Sequence, residues 1–158
     1  MSTDVLPERP LTYEEERGKP MPSKNHAFIQ MNLGLEFAKH REFRPGSEMT
    51  LELVPGLPKT PDLAVYPRSP LDLWHDEVRS TDPPLLVVEI VSASQGMQEI
   101  MEKVEFYLAY GVKSVWVVMP PLRSVTIFLP DKSQQTHLSG VVHDPATGLT
   151  ADLDAVFS

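Results

Sequence analysis

Three side chains of this sequence have the types and positions to form a centre for phosphate chemistry: Asp62, Glu89 and Lys103. Glu89 interrupts Leu85-Leu86-Val87-Val88-Glu89-Ile90-Val91, the most apolar run of the chain. A continuous apolar run, as opposed to an alternating one, reads as a strand buried on both faces. An ionised carboxylate there costs on the order of several kcal/mol unless a cation, a hydrogen-bond network or a metal compensates it. Asp62, in Thr60-Pro61-Asp62-Leu63-Ala64-Val65, opens a strand directly after a proline and so stands near a sheet edge or strand end. If the two strands are neighbours, the carboxylates face one another across one ladder, at the ~5 Å separation of cross-strand pairs. With the backbone carbonyl of Ile90 they make an all-oxygen set suited to Mg²⁺ or Mn²⁺. Lys103, on a helix packed over the sheet, would orient or activate water, or neutralise charge developing on a phosphate. Glu99 precedes Lys103 at the i,i+4 spacing and either orients the lysine or forms a surface pair worth a few tenths of a kcal/mol. The plainer alternative for Glu89 is a strand-end acid, solvated or paired with an arginine.

The elements that must position these groups follow from periodicity and capping. Residues 1–22 are rich in proline and charge and read as an extended arm, with a helical turn at Thr12–Arg17 that Thr12 and Glu15 close as a capping box. Ser23 caps a helix over 24–40, where Phe28, Met31, Leu35 and Ala38 recur at helical spacing. Residues 49–54 alternate as a half-buried strand and pair through Pro55-Gly56-Leu57-Pro58 with a strand at 61–66. Residues 67–84 form a long loop, with room for one helical turn. The buried strand at 85–91 precedes a helix over 97–110, capped by Ser92 or Ser94 and ended by Gly111. Strands at 113–118 and 124–129 flank a Pro120-Pro121 turn, and 135–138 and 150–157 are weaker candidates. This order predicts an α/β or α+β domain over 23–158, a central mixed sheet flanked by helices.

Composition bounds the function. A chain of 158 residues without cysteine forms one domain with no disulfide and no thiolate metal site. No run approaches the ~20 apolar residues of a membrane span, and no signal peptide opens the chain, so the expected location is cytoplasmic. The formal charge of −8 argues against nonspecific coating of nucleic acid but leaves room for an enzyme whose acids bind metal. The cations Lys19, Lys24, Lys39, His40, Arg41 and Arg44 read as scattered and solvated. The five histidines show no zinc spacing, Ser92 and Ser94 lack a nucleophile elbow, and Trp74 and Trp116 read as core or interface residues.

Taken together, Pro61-Asp62, Glu89-Ile90-Val91-Ser92-Ala93-Ser94, Glu99, Lys103, Tyr107 and Gly111-Val112 resemble the Uma2 family of restriction-endonuclease-like proteins, within the PD-(D/E)xK nucleases. The resemblance runs from Leu11-Thr12-Tyr13-Glu14-Glu15 to Leu153-Asp154-Ala155-Val156-Phe157. It implies a restriction-endonuclease-like core and a Mg²⁺- or Mn²⁺-dependent endonuclease acting on DNA. Asp62 and Glu89 would hold the metal and Lys103 would be the catalytic lysine, supplied from the helix because Val91 stands two residues after the strand acid. His26 matches a histidine common near the start of the first helix, and Glu48 an acid before the first hairpin strand that would be a third carboxylate. The chain departs from the pattern at Glu99, where relatives often carry Asp, at Ala93, where they often carry Pro, and in the short stretch Glu16–Pro22. That short stretch and the acidic balance support a competing expectation, a catalytically inactive module acting in dimerisation or nucleic-acid binding. The apolar loop around Leu71, Leu73 and Trp74 points to a homodimer.

Overall fold

The computed structural model describes residues 10 and 12–158. The chain runs through helices α1 (Tyr13–Arg17) and α2 (Lys24–Ala38), strands β1 (Phe43–Ser47), β2 (Thr50–Leu51), β3 (Leu63–Pro67), β4 (Arg79–Ser80) and β5 (Leu86–Ile90), and helix α3 (Met97–Ala109). It continues through β6 (Ser114–Met119), β7 (Ser124–Phe128), β8 (Gln134–His137), β9 (Val141–His143), β10 (Thr150–Asp152) and helix α4 (Leu153–Val156). Six strands form the central sheet in the order β1-β3-β5-β6-β7-β8. The expected α+β architecture, a mixed sheet flanked by helices, is what the chain adopts.

All five residues of β5 are buried, as the unbroken apolar run requires. β5 pairs antiparallel with β3 and parallel with β6. Parallel neighbours need a long crossover, and α3 supplies it. Side chains alternate across the sheet. Leu86, Val88 and Ile90 join Ile29, Leu33 and Phe37 of α2 on one face, where Trp116 meets Phe37 edge to face at 5.1 Å. Val87 faces the other way and packs with Ala64, Val115 and Val117 beneath Ile100, Val104 and Tyr107 of α3. Glu89, two residues beyond Val87, shares the α3 face, and so does Asp62, two residues before Ala64.

Three expectations about local structure need correction. The strand that precedes β3 and pairs antiparallel with it is β1, running from Phe43↔Pro67 to Ser47↔Leu63, not a strand over 49–54. Pro45 and Gly46 hid this strand, and the sheet tolerates them because β1 is an edge. Thr50–Leu51 instead pairs parallel with Arg79–Ser80, a strand inside what read as a long loop with room for one helical turn. Helix α3 is capped by Gly96 without a side-chain bond. Ser92 instead donates its N–H to Gln95 Oε1 at 2.9 Å and Ser94 Oγ lies 3.3 Å from Ser92 Oγ, so neither serine caps the helix. The Pro120-Pro121 turn is a short 3₁₀ helix, Pro120–Leu122. The tail forms β10, paired with β9, and then α4, whose Leu153 and Val156 seal the α2 face. Among the described residues no helix is long and apolar enough to cross a membrane.

Candidate functional site

The site lies where β3 begins and β5 ends. Leu63 pairs with Val88, so Asp62 and Glu89 are the next residues outward on the two strands. Both are buried, at 0% and 2% exposure. Asp62 Oδ2 accepts the Ile90 N–H at 2.7 Å. In an extended strand a residue's N–H and C=O point to the same side, so the Ile90 carbonyl shares that side with Asp62. Glu89 Oε2 accepts the Tyr107 hydroxyl from α3 at 2.9 Å.

The other partners come from the N-terminal segment and α2. Thr12 opens α1 with a capping box, accepting the Glu15 N–H at 3.2 Å while its own N–H donates to Glu15 Oε1 at 3.0 Å. Gly18, at φ +68°, ends the turn in the left-handed region that favours glycine. That reversal sends both Arg17 and Lys19 inward. Lys19 Nζ lies 2.9 Å from Asp62 Oδ1 and 3.0 Å from Glu89 Oε1. Arg17 Nη2 donates to Asp62 Oδ1 at 3.0 Å, and its Nε and Nη2 grip the two oxygens of Glu48 at 3.0 Å each. Ser23 caps α2 by accepting the His26 N–H, which fixes His26 in the first turn with Nε2 2.9 Å from Asp62 Oδ1. Glu48 has φ +55°, an uncommon backbone for a residue with a side chain, directly after the edge strand.

This environment sets the protonation states. Burial pushes the Asp62 carboxyl up, but the His26 hydrogen bond, the Lys19 charge and the Ile90 N–H outweigh it and hold the group at about 2. Burial pulls Lys19 down, yet the charges of Glu89 and Asp62 win and raise it above its ordinary value. Tyr107 is pushed well up by burial and by the Glu89 charge, so its hydroxyl stays protonated and keeps donating.

A cleft of about 70 Å³ opens beside these groups, lined by Arg17, Lys59, Thr60, Glu89, Lys103 and Tyr107 among others. The structure therefore gathers Asp62, Glu89, Ile90 and His26 directly, and Glu48 through Arg17. Lys103 borders the cleft with Glu89 but points its ammonium toward Glu99, whose Oε1 is 4.0 Å away. Glu99 stands at the exposed end, half accessible.

Arg17 and Lys19 were not among the sequence candidates. Lys19, expected to be solvated, is 6% exposed. The signal that would have found them is charge balance: two buried acids demand two cations, and Arg17-Gly18-Lys19 offers a pair around a turn-making glycine.

The residues fit a hard divalent cation. Two carboxylates converge on one point already held by positive charge, and both are oxygen donors of the kind Mg²⁺ and Mn²⁺ prefer. Among the described residues no group of three or more His, Asp or Glu side chains is arranged to hold a metal ion, so a cation here would rely on backbone oxygen and water for its remaining ligands.

The profile of the Uma2 family, described as "Putative restriction endonuclease", matches residues 11–154. The chain belongs to that family. Among solved structures it is similar to one titled as a putative nuclease belonging to DUF820 from Anabaena variabilis. The two share 20% identity at a TM-score of 0.72, covering 87% of this chain and 83% of the other. At that identity the likeness establishes a common fold. Among curated proteins none matches this chain.

Proposed function

We propose that this Uma2 protein is a Mg²⁺- or Mn²⁺-dependent endonuclease that hydrolyses phosphodiester bonds in DNA. The observation that carries the reading is the pair of fully buried carboxylates, Asp62 and Glu89, meeting at one cation at the end of the central sheet. A divalent ion bound there would polarise the scissile phosphate and lower the pKa of a bound water. Asp62, Glu89 and the Ile90 carbonyl would hold it. The protein's own groups do the rest. The Ile90 N–H and His26 fix the Asp62 carboxylate, and Tyr107 fixes Glu89, so neither acid reorganises as the reaction proceeds. Lys103, at the wall of the cleft, neutralises charge developing on the phosphoryl oxygens, with Glu99 orienting it from the helical turn before. Glu48 reaches the centre through Arg17 and sets how firmly that guanidinium is held.

One observation favours the competing reading of a catalytically inactive module: Lys19 already bridges the two acids, and Arg17 also holds Asp62. Incubating circular duplex and single-stranded DNA at low salt with Mn²⁺, Mg²⁺ or EDTA separates the two. Metal-dependent cleavage by the wild type, lost in Asp62→Asn and in Lys103→Ala, is the expected result. Folded wild type that cuts neither DNA with either metal would shift the reading to the inactive module.

A homodimer is part of the proposal. Leu71, Leu73, Trp74 and Val78 stand exposed on the loop between β3 and β4. Burying them against a second copy removes an apolar patch of the kind that marks interaction surfaces.

A further inference from the structure

The cleft and the carboxylate pair raise a question of occupancy, because one side chain of the chain itself holds the position that a metal would take. Lys19 Nζ is within 3.0 Å of an oxygen on each of Asp62 and Glu89. An ion coordinating those same oxygens at roughly 2.0–2.2 Å would stand against the ammonium, and two cations do not share so small a space. Positive charge is also already in place: Lys19 bridges the two buried acids, and Arg17 is shared between Asp62 and Glu48.

We infer that Lys19 and a divalent cation exclude one another at Asp62 and Glu89, so that the segment Arg17–Pro20 is a strap that lifts when metal binds. The inference rests on the reading of the site as a metal centre and adds to it an internal competitor.

The way the segment is attached supports it. Neither apolar cluster contains a described residue before Ile29, so the described part of the strap is fastened by charge and hydrogen bonds, not by apolar packing. Its fasteners include Lys19 on the acids, Arg17 on Asp62 and Glu48, the Gly18 and Lys19 N–H groups on the Glu14 carbonyl, and the Arg17 Nη1 donation to the Pro20 carbonyl at 2.6 Å, which ties the strap to itself. Fasteners of this kind are exchangeable: an ion with two charges replaces the ammonium on both carboxylates at once. Gly18, at φ +68° with no atom near its absent Cβ, gives the segment a pivot between α1 and Lys19. Glu48, on the far side of Arg17, keeps a partner for the guanidinium when Asp62 turns to metal.

Lys19→Met keeps the apolar stem and removes the charge. Calorimetric titration of Mn²⁺ into the wild type and Lys19→Met, with circular dichroism to establish folding, should show Mn²⁺ bound at least tenfold more tightly by the variant. Hydrogen exchange on the wild type serves even if Lys19→Met does not fold: saturating Mn²⁺ should speed exchange at the Gly18 and Lys19 amides, which donate to the Glu14 carbonyl, while slowing it at Ile90. Equal or weaker Mn²⁺ affinity in a folded variant, or a strap as protected with Mn²⁺ as without it, overturns the competition and leaves the metal centre standing. Mn²⁺ bound by neither protein overturns the metal centre and the competition together.

Discussion

At the scale of single residues, Asp62 carries the largest electrostatic consequence. Its carboxyl falls from an ordinary 3.8 to about 2 in the folded protein. A carboxyl with a depressed folded pKa contributes stability that is fully present above about pH 4 and is lost as pH falls toward 2. The size of that contribution is on the order of 2 kcal/mol. Urea unfolding at intervals between pH 5 and 2 should therefore show a steeper loss in the wild type than in Asp62→Asn. That variant starts lower, by roughly 3 kcal/mol, because Lys19 and Arg17 lose a buried counter-charge. Lys19, raised above its ordinary value, contributes in the opposite sense: its share is present below about pH 10 and lost as pH climbs through the raised folded pKa. Tyr107→Phe tests the other acid. It removes the hydroxyl donor to Glu89 and leaves a buried carboxylate oxygen short of a partner, at a cost of about 1–3 kcal/mol in chemical denaturation. A Tyr107→Phe protein as stable as the wild type would show that this hydrogen bond carries no weight.

At the scale of elements, the parts of the site on regular structure were legible and those on short segments were not. Asp62 and Glu89 could be read because β5 is an unbroken apolar run and an acid inside it has to be compensated. Tyr107 followed from the periodicity of α3, and Lys103, expected from a helix packed over the sheet, borders the cleft. Arg17 and Lys19 escaped because a five-residue helix and a proline-rich stretch carry no periodicity, and their burial depends on which acids they meet. The edge strand β1 escaped for a different reason. Pro45 and Gly46 argue against a strand on local propensity, and only its place at the sheet margin makes them acceptable. Gly111 was legible as the end of α3 but not for its second constraint. It sits at φ +106°, and an added Cβ would lie 3.0 Å from Pro83 Cγ. Gly111→Ala should cost about 1–3 kcal/mol in thermal or urea unfolding, since the conformation and the close approach both oppose a side chain. A neutral outcome would show that the loop carrying Pro83 yields freely.

At the scale of the whole molecule, the proposed action on DNA requires a chain with a net charge of −8 to meet a polyanion through a local exception to its own field. The cleft provides one: Arg17, Lys59 and Lys103 line it. Few phosphate contacts predict DNA binding whose dependence on salt is shallow, since the slope follows the number of phosphates neutralised and salt also screens the repulsion from the acidic surface. The exposed loop makes a separate prediction. Trp74 is 93% exposed, so Trp74→Ser should change the stability of a monomer by no more than about 0.5 kcal/mol. If the loop forms the dimer interface, the same change should raise the dissociation constant several-fold in sedimentation equilibrium. Unaltered association would place the interface elsewhere. The family and the fold agree on a nuclease scaffold; the proposed turnover depends on whether the two acids accept a metal. Anomalous diffraction from crystals grown with Mn²⁺ answers that directly. The account predicts a manganese peak bonded to the Asp62 and Glu89 carboxylates and the Ile90 carbonyl, with Lys19 displaced. Lys19 still seated on both acids at saturating Mn²⁺, with no peak between them, would contradict it.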